Sequence, residues 1–125
     1  VTPDTIASDP ERKALFDEAI AAAVSAYEKL LDAGVPAEDA RYLLPNAAES
    51  KIVITMNVRE LLHFFKLRCC NRAQWEIRDM AHRMLELARP TAPFVFADAG
   101  APCVSGACPE GKMSCKNPYP RVKRS

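Results

Sequence analysis

The chain has 125 residues, of which 49% are hydrophobic and 26% charged, with a formal net charge of +1. This balance is typical of one ordinary globular domain with a modest core, and it disfavours a general nucleic-acid binder, which normally needs a basic excess. The apolar stretches are far shorter than a membrane span, and no N-terminal signal pattern is visible. We therefore expect a cytoplasmic protein that binds neither nucleic acid nor a membrane.

A long helix is predicted near the N-terminus. Ser8 and Glu11 have the spacing of a capping box. Apolar residues then recur at three- and four-residue steps and define one face of a helix. They are Leu15, Phe16, Ile20, Val24, Tyr27, Leu30 and Leu31. Gly34 should end this helix, and a shorter helix should follow Pro36 and end before Pro45.

Residues 51–56 have the density of β-branched side chains that is typical of a buried strand. A strand needs neighbours, and the chain offers only one poor candidate, at residues 94–96. We therefore predict that the partner strands lie in sequence outside these 125 residues or in another subunit. By itself the chain should be mostly α-helical with one clear strand.

Two further helices are predicted after the strand. Asn57 is a suitable N-cap, with Glu60 at the third position of a second capping box, and this helix should run to about Leu67. Asn71 and Gln74 repeat the signature and should open the next helix. Its apolar residues are Trp75, Ile77, Met80, Ala81, Met84 and Leu85. Residues 93–125 are interrupted by Pro and Gly and should form an irregular tail.

Several polar side chains lie around the ends of the last two predicted helices: Asn57, Arg59, His63, Arg68 and Arg72. A guanidinium is a rigid fork of donors, and a helix start adds unpaired backbone N–H groups. His63 follows Arg59 by four residues and so shares its helix face, and Arg68 is placed where the chain must turn. The pattern indicates a site for an anionic, planar, nucleotide-like ligand. The alternative is that each arginine is an ordinary surface charge.

The five cysteines are Cys69, Cys70, Cys103, Cys108 and Cys115. An odd number without a secretion signal does not indicate a disulfide framework. Neighbouring arginines could activate the first two as thiolates, but we interpret that pair as packing residues or as incidentally placed. The spacings of the last three miss the paired gaps of common zinc and iron–sulfur sites, so no metal site is predicted. Metal binding, a labile disulfide and free thiols stay open for the tail.

Four segments, in order and in register, resemble the C-terminal half of the flavin-dependent thymidylate synthases. They are Ala-Arg-Tyr-Leu-Leu-Pro at 40–45, Thr-Met-Asn-Val-Arg-Glu-Leu-Leu-His-Phe at 55–64, Leu-Arg at 67–68 and Ala-Gln-Trp-Glu-Ile-Arg at 73–78. The likeness covers roughly residues 10–90. It implies that residues 1–92 are the C-terminal part of a catalytic domain. The complete protein should then be α+β, with helices packed on a mainly antiparallel sheet.

The resemblance also implies the reductive methylation of dUMP to dTMP, with methylenetetrahydrofolate as carbon donor and NADPH reducing a bound FAD. The positions that would contact FAD are Asn57, Val58, Arg59 and His63. Arg41 and Arg68 would bind dUMP, and Arg68 would also act catalytically by stabilising negative charge on the pyrimidine. The family forms homotetramers whose active sites draw on more than one subunit.

Two features depart from the family pattern. Its upstream Arg-His-Arg signature has no counterpart in residues 1–125, so we expect the isolated chain to be inactive. Arg72 stands where the family often has His, which leaves open whether it contacts the flavin. Two alternatives are a non-catalytic helical module whose arginines bind an acidic partner, and a metal- or redox-active protein that acts through the cysteine tail.

Overall fold

The computed structural model describes residues 1–121 and consists of helices joined by irregular segments. In chain order the elements are α1 (Asp4–Ala7), α2 (Pro10–Asp32), α3 (Ala37–Ala40), a 3-10 turn (Arg41–Leu43), α4 (Val58–Arg68), α5 (Trp75–Ala88), α6 (Pro93–Phe96) and 3-10 turns at Pro102–Val104 and Gly111–Met113. The chain divides into two compact units, Val1–Val53 and Ile54–Ser125. Within residues 1–121, none of the helices combines the length and the hydrophobicity that crossing a bilayer requires.

The first unit is dominated by α2. Its N-cap is Asp9, whose carboxylate accepts hydrogen bonds from two first-turn N–H groups at 2.9 and 3.2 Å. The prediction that Ser8 caps this helix is wrong by one residue, because Ser8 closes α1 instead. The helix ends at Asp32, and Gly34 follows with a φ of +84°. The predicted long helix and its glycine stop are confirmed, as is the short helical segment that ends before Pro45.

The apolar face of α2 is only partly covered within its own unit. No residue of α2 is buried, and Leu15 is 71% exposed. Within residues 1–53, all of which are described, Ala40 is the only buried residue. Five residues of the predicted apolar stripe are half-buried and two are exposed: Phe16, Ile20, Tyr27, Leu30 and Leu31 belong to the first group, and Leu15 and Val24 to the second.

The strand predicted over residues 51–56 is wrong. These residues form no strand, and residues 1–121 contain no sheet. The side chains of Ile52, Val53 and Ile54 are 75%, 98% and 58% exposed. β-branched composition favours a strand only where a second chain segment supplies the pairing N–H and C=O groups, and the described residues provide none here. The fold predicted for this chain, mostly α-helical with one clear strand, is thereby corrected to helices without a strand in residues 1–121, while the α+β class predicted for the complete protein stays a prediction.

The core of the second unit forms between α4, α5 and the segment that follows them. Its buried members are Phe65, Cys69, Ala81, Leu85, Phe96, Ala99 and Ala101. The rings of Phe65 and Phe96 meet edge to face, with centroids 6.1 Å apart, a preferred aromatic geometry. Because Phe65 and Cys69 are four residues apart, they lie on the same face at the end of α4. This face packs in the core, and the other faces are left to solvent.

The predicted tail is irregular apart from α6 and two short 3-10 turns. It is nevertheless part of the packing, since Phe96, Ala101 and Val104 are buried. The last four residues of the predicted tail, 122–125, lie outside the described residues. The division predicted at residue 92 stays a prediction.

Candidate functional site

The start of α4 carries the first group of predicted site residues. Asn57 is the N-cap, as predicted, and its Oδ1 accepts a hydrogen bond from the N–H of Glu60 at 3.0 Å. The N–H groups of Val58 and Arg59 precede that bond and point out of the helix start, where intrahelical partners are lacking. Arg59 and His63 are exposed one turn apart, so this end of α4 presents donors and positive charge on one flank.

Arg68 forms a second, separate group. It is the final residue of α4, not a residue beyond the helix end as predicted. Nine residues separate it from Arg59, which in an α-helix corresponds to about 14 Å along the axis and about half a turn around it. The two arginines therefore lie at opposite ends and on opposite flanks of α4, and a single α4 does not bring them together.

The remaining predicted arginines have different surroundings. Arg72 is exposed, and its Nη1 donates a hydrogen bond to the backbone carbonyl of Met113 in the tail. Its guanidinium is thus engaged within the second unit. Arg41 belongs to the first unit, where it opens a 3-10 turn with an exposed side chain.

Cys69 is fully buried in the core beside α5. Burial raises the pKa of its thiol from 9.0 to about 11, and the Arg89 guanidinium opposes this less strongly. An activated nucleophile needs the opposite shift. The interpretation of Cys69 as a packing residue is therefore confirmed.

The other four cysteines line one cavity of about 240 Å³: Cys70, Cys103, Cys108 and Cys115. All five cysteines are free thiols. Within residues 1–121, no group of three or more His, Cys, Asp or Glu side chains is arranged to hold a metal ion. The cavity exists because the tail folds back on the turn between α4 and α5.

Sequence reasoning missed the hydrogen bonds that hold the tail. Asn71 does not cap α5; that role falls to Gln74, whose Oε1 accepts from two first-turn N–H groups at 2.9 and 3.1 Å. Asn71 instead donates to the carbonyl of Asn117 at 2.8 Å and accepts from the hydroxyl of Tyr119 at 2.6 Å. These partners are 46 and 48 residues away. The only signal for these contacts in the sequence was the presence of the Asn and Tyr side chains, whose polar groups seldom stay unpaired when they are partly buried.

The sequence of this chain, including α4 with its exposed arginines, matches a known family. The family model described as thymidylate synthase complementing protein matches residues 1–94. The chain belongs to this family, and the resemblance noted in the sequence is confirmed.

Its relatives carry a more specific name, flavin-dependent thymidylate synthase. The relative from Geobacter sulfurreducens is 56% identical over 115 residues, which cover 92% of this chain and 50% of the relative. Those from Clostridium tetani and Pyrococcus abyssi are each 42% identical and cover 92% and 98% of this chain, and 53% and 52% of their own length. The chain thus spans about half the length of the curated relatives it matches.

Proposed function

We propose that this chain is part of an enzyme that converts dUMP to dTMP with a bound FAD, taking the one-carbon unit from methylenetetrahydrofolate and the reducing equivalents from NADPH. The observation that carries the proposal is the family match together with α4, which presents the matching residues on an exposed surface. The names of the relatives support thymidylate synthesis and a flavin. The two co-substrates rest on the motif resemblance.

The first turn of α4 is the proposed flavin contact. Its donors fit a ring edge or phosphate rich in acceptors: the Arg59 guanidinium, the N–H of Val58, and the Nδ2 group of Asn57, whose Oδ1 is already used in the cap. His63, one turn on, extends the same flank. When bound, FAD supplies the hydride chemistry of the reaction, and these residues bind and orient it.

The far end of α4 is the proposed pyrimidine contact. Arg68 is exposed, and no carboxylate of residues 1–121 forms an ion pair with it. Its two parallel donors can hold a uracil edge and stabilise negative charge that develops on the ring. Arg41 is the second proposed dUMP contact, suited to the phosphate or the base by the same fork of donors.

We also propose a homotetramer whose active sites combine residues from more than one subunit. The side chains of Arg59 and Arg68 lie on opposite flanks of α4. One copy of this helix therefore cannot place both side chains against the same reacting atoms. The apolar face of α2 is only partly covered, with Leu15 71% exposed, and is suited to further burial against another subunit. We assign the reaction to the cytoplasm, since five cysteines are an odd number and do not fit the disulfide framework of a secreted protein.

The function is tested on the full-length protein. It should form dTMP from dUMP only when FAD, methylenetetrahydrofolate and NADPH are all present, with product measured by chromatography. Each component is omitted in turn as a control. A protein that retains no flavin and forms no dTMP would support the alternative of a non-catalytic helical module.

Arg59→Ala in the full-length protein is expected to weaken FAD binding by roughly 10-fold or more, because a hydrogen bond to a charged group typically contributes about 1.5–3 kcal/mol. Binding of dUMP should change much less, since Arg59 lies at the other end of α4 from Arg68. The ratio of flavin to protein absorbance after gel filtration measures retention. Lys66→Ala, an exposed cation on the same helix, is the matched control. Full flavin retention in Arg59→Ala would show that Arg59 is a surface charge.

A further inference from the structure

The turn between α4 and α5, residues 69–74, begins directly after Arg68 and is tied to a distant part of the chain. We call residues 113–119 the strap, because four hydrogen bonds join them to this turn; the longest runs from Nδ2 of Asn71 to Sγ of Cys115 at 3.9 Å. Arg72 donates to the carbonyl of Met113, and Asn71 donates to the carbonyl of Asn117 at 2.8 Å. The hydroxyl of Tyr119 donates to Oδ1 of Asn71 at 2.6 Å. The strap therefore engages both polar groups of the Asn71 side chain.

Tyr119 is itself held from two sides. Its backbone N–H donates to Sγ of Cys103 at 3.4 Å. Its hydroxyl oxygen lies 3.1 Å from Nε2 of His82 on α5, and the two rings are 5.2 Å apart. Because the phenol proton is used on Asn71, Nε2 of His82 is the donor in this contact. Burial raises the pKa of Tyr119, so the hydroxyl keeps the proton that the contact with Asn71 requires.

The turn is also held by contacts with α5 and with the core. The backbone carbonyl of Asn71 accepts a hydrogen bond from Nη1 of Arg78 on α5 at 3.0 Å. Cys69, the residue after Arg68, has no exposed surface and packs in the core. After Arg68 the chain is thus held by packing at Cys69 and by four polar contacts at Asn71.

We propose that Asn71, clamped by the strap, is a positioning residue for Arg68. This inference rests on the proposed function, in which Arg68 donates to the pyrimidine. Arg68 is the last residue of α4, and helix ends fray unless the following chain is held. A displacement of about 1 Å in a group that contacts the reacting atoms can cost on the order of 100-fold in rate. By fixing the turn, Asn71 and Tyr119 limit the movement of the backbone from which the Arg68 side chain extends, without touching substrate themselves.

The first test is hydrogen exchange in the full-length protein, measured by mass spectrometry on peptides that contain residues 68–74. Tyr119→Phe keeps the ring and removes the hydroxyl, and Asn71→Asp keeps the shape and turns the donor to Asn117 into an acceptor. Each should speed exchange in this peptide by about 10-fold, the equivalent of one lost hydrogen bond. Tyr27→Phe, on α2, is the matched control. Unchanged exchange in both variants would overturn the proposal, whatever the enzyme does.

The second test separates positioning from a merely structural role. Tyr119→Phe should lower kcat/KM for dUMP by about 10-fold while flavin retention stays unchanged. In an Arg68→Ala background, the same substitution should have no further effect on kcat/KM, because the group that it positions is gone. Additive losses in the double variant would overturn the proposal, even if exchange of the turn had increased. A full-length protein that neither binds dUMP nor forms dTMP would refute the proposed function instead, and the exchange measurement would still show whether the strap holds the turn.

Discussion

Arg68→Ala in the full-length protein is expected to slow the single-turnover oxidation of reduced flavin by about 100-fold or more at saturating dUMP and methylenetetrahydrofolate. Saturation removes the contribution of binding, so the loss reports on the chemical step. Removing a donor aimed at developing charge typically costs roughly 3 kcal/mol. Stopped-flow absorbance of the flavin measures the rate directly.

Arg68→Lys should rescue little of that rate, because an ammonium keeps the charge but lacks the planar pair of donors. Arg83→Ala is the matched control: Arg83 is an exposed arginine on α5 that pairs with Asp79 at 2.9 Å, and its loss should leave the rate unchanged. Wild-type rates in both Arg68 variants at saturation would limit Arg68 to substrate binding.

Cys69 is expected to be the slowest of the five thiols to react with iodoacetamide in the native protein. Its pKa is raised by burial from 9.0 to about 11, so its thiolate fraction at pH 8 is about 100-fold lower than that of an ordinary cysteine. Full burial adds to this protection, whereas Cys108 and Cys115 are exposed and should react first. Peptide mass spectrometry over a time course gives the five rates. Labelling of Cys69 as fast as Cys115 would show that the core opens readily.

The same pKa makes a prediction for stability at alkaline pH. Above pH 9 the unfolded thiol loses its proton first, so the unfolded state binds fewer protons than the folded state, and the free energy of unfolding falls as pH rises. The contribution of the protonated Cys69 thiol to stability is fully present below about pH 9 and is lost as pH rises through about 11. In the Cys69→Ala variant, the free energy of unfolding, measured with denaturant, should fall less between pH 9 and 11 than in the wild type, by up to about 2–3 kcal/mol. Cys115→Ala should retain the wild-type dependence, and equal slopes in all three proteins would contradict the assignment.

The sequence predicted most helices of this protein because their signals are local. The three-residue spacing of Asn57 and Glu60 predicted the start of α4, and the structure contains the corresponding hydrogen bond. Gly34 marked the end of α2 in the same way, since a φ of +84° costs glycine little. The relation of Arg59 to His63 follows from the helical period alone.

Sequence reasoning failed where the partner of a residue is not its neighbour. Residues 51–56 have strand composition, but pairing depends on a second segment that the described chain does not supply. Asn71 has the chemistry of a helix cap, and the same amide serves the strap instead. A polar side chain of this type satisfies its hydrogen bonds wherever the path of the chain offers partners.

The sequence by itself determined the family, most of the helices and the identity of the candidate site residues on α4. Capping and periodicity depend on residues within a few positions of one another, and the family motifs can be read directly along the chain. Only the tertiary structure decided two other features: the buried state of Cys69 and the strap that joins Tyr119 to Asn71. Each of these depends on where the core lies and how the chain returns to it. Contacts between residues more than 40 positions apart are set by packing of the whole unit, which no local pattern encodes.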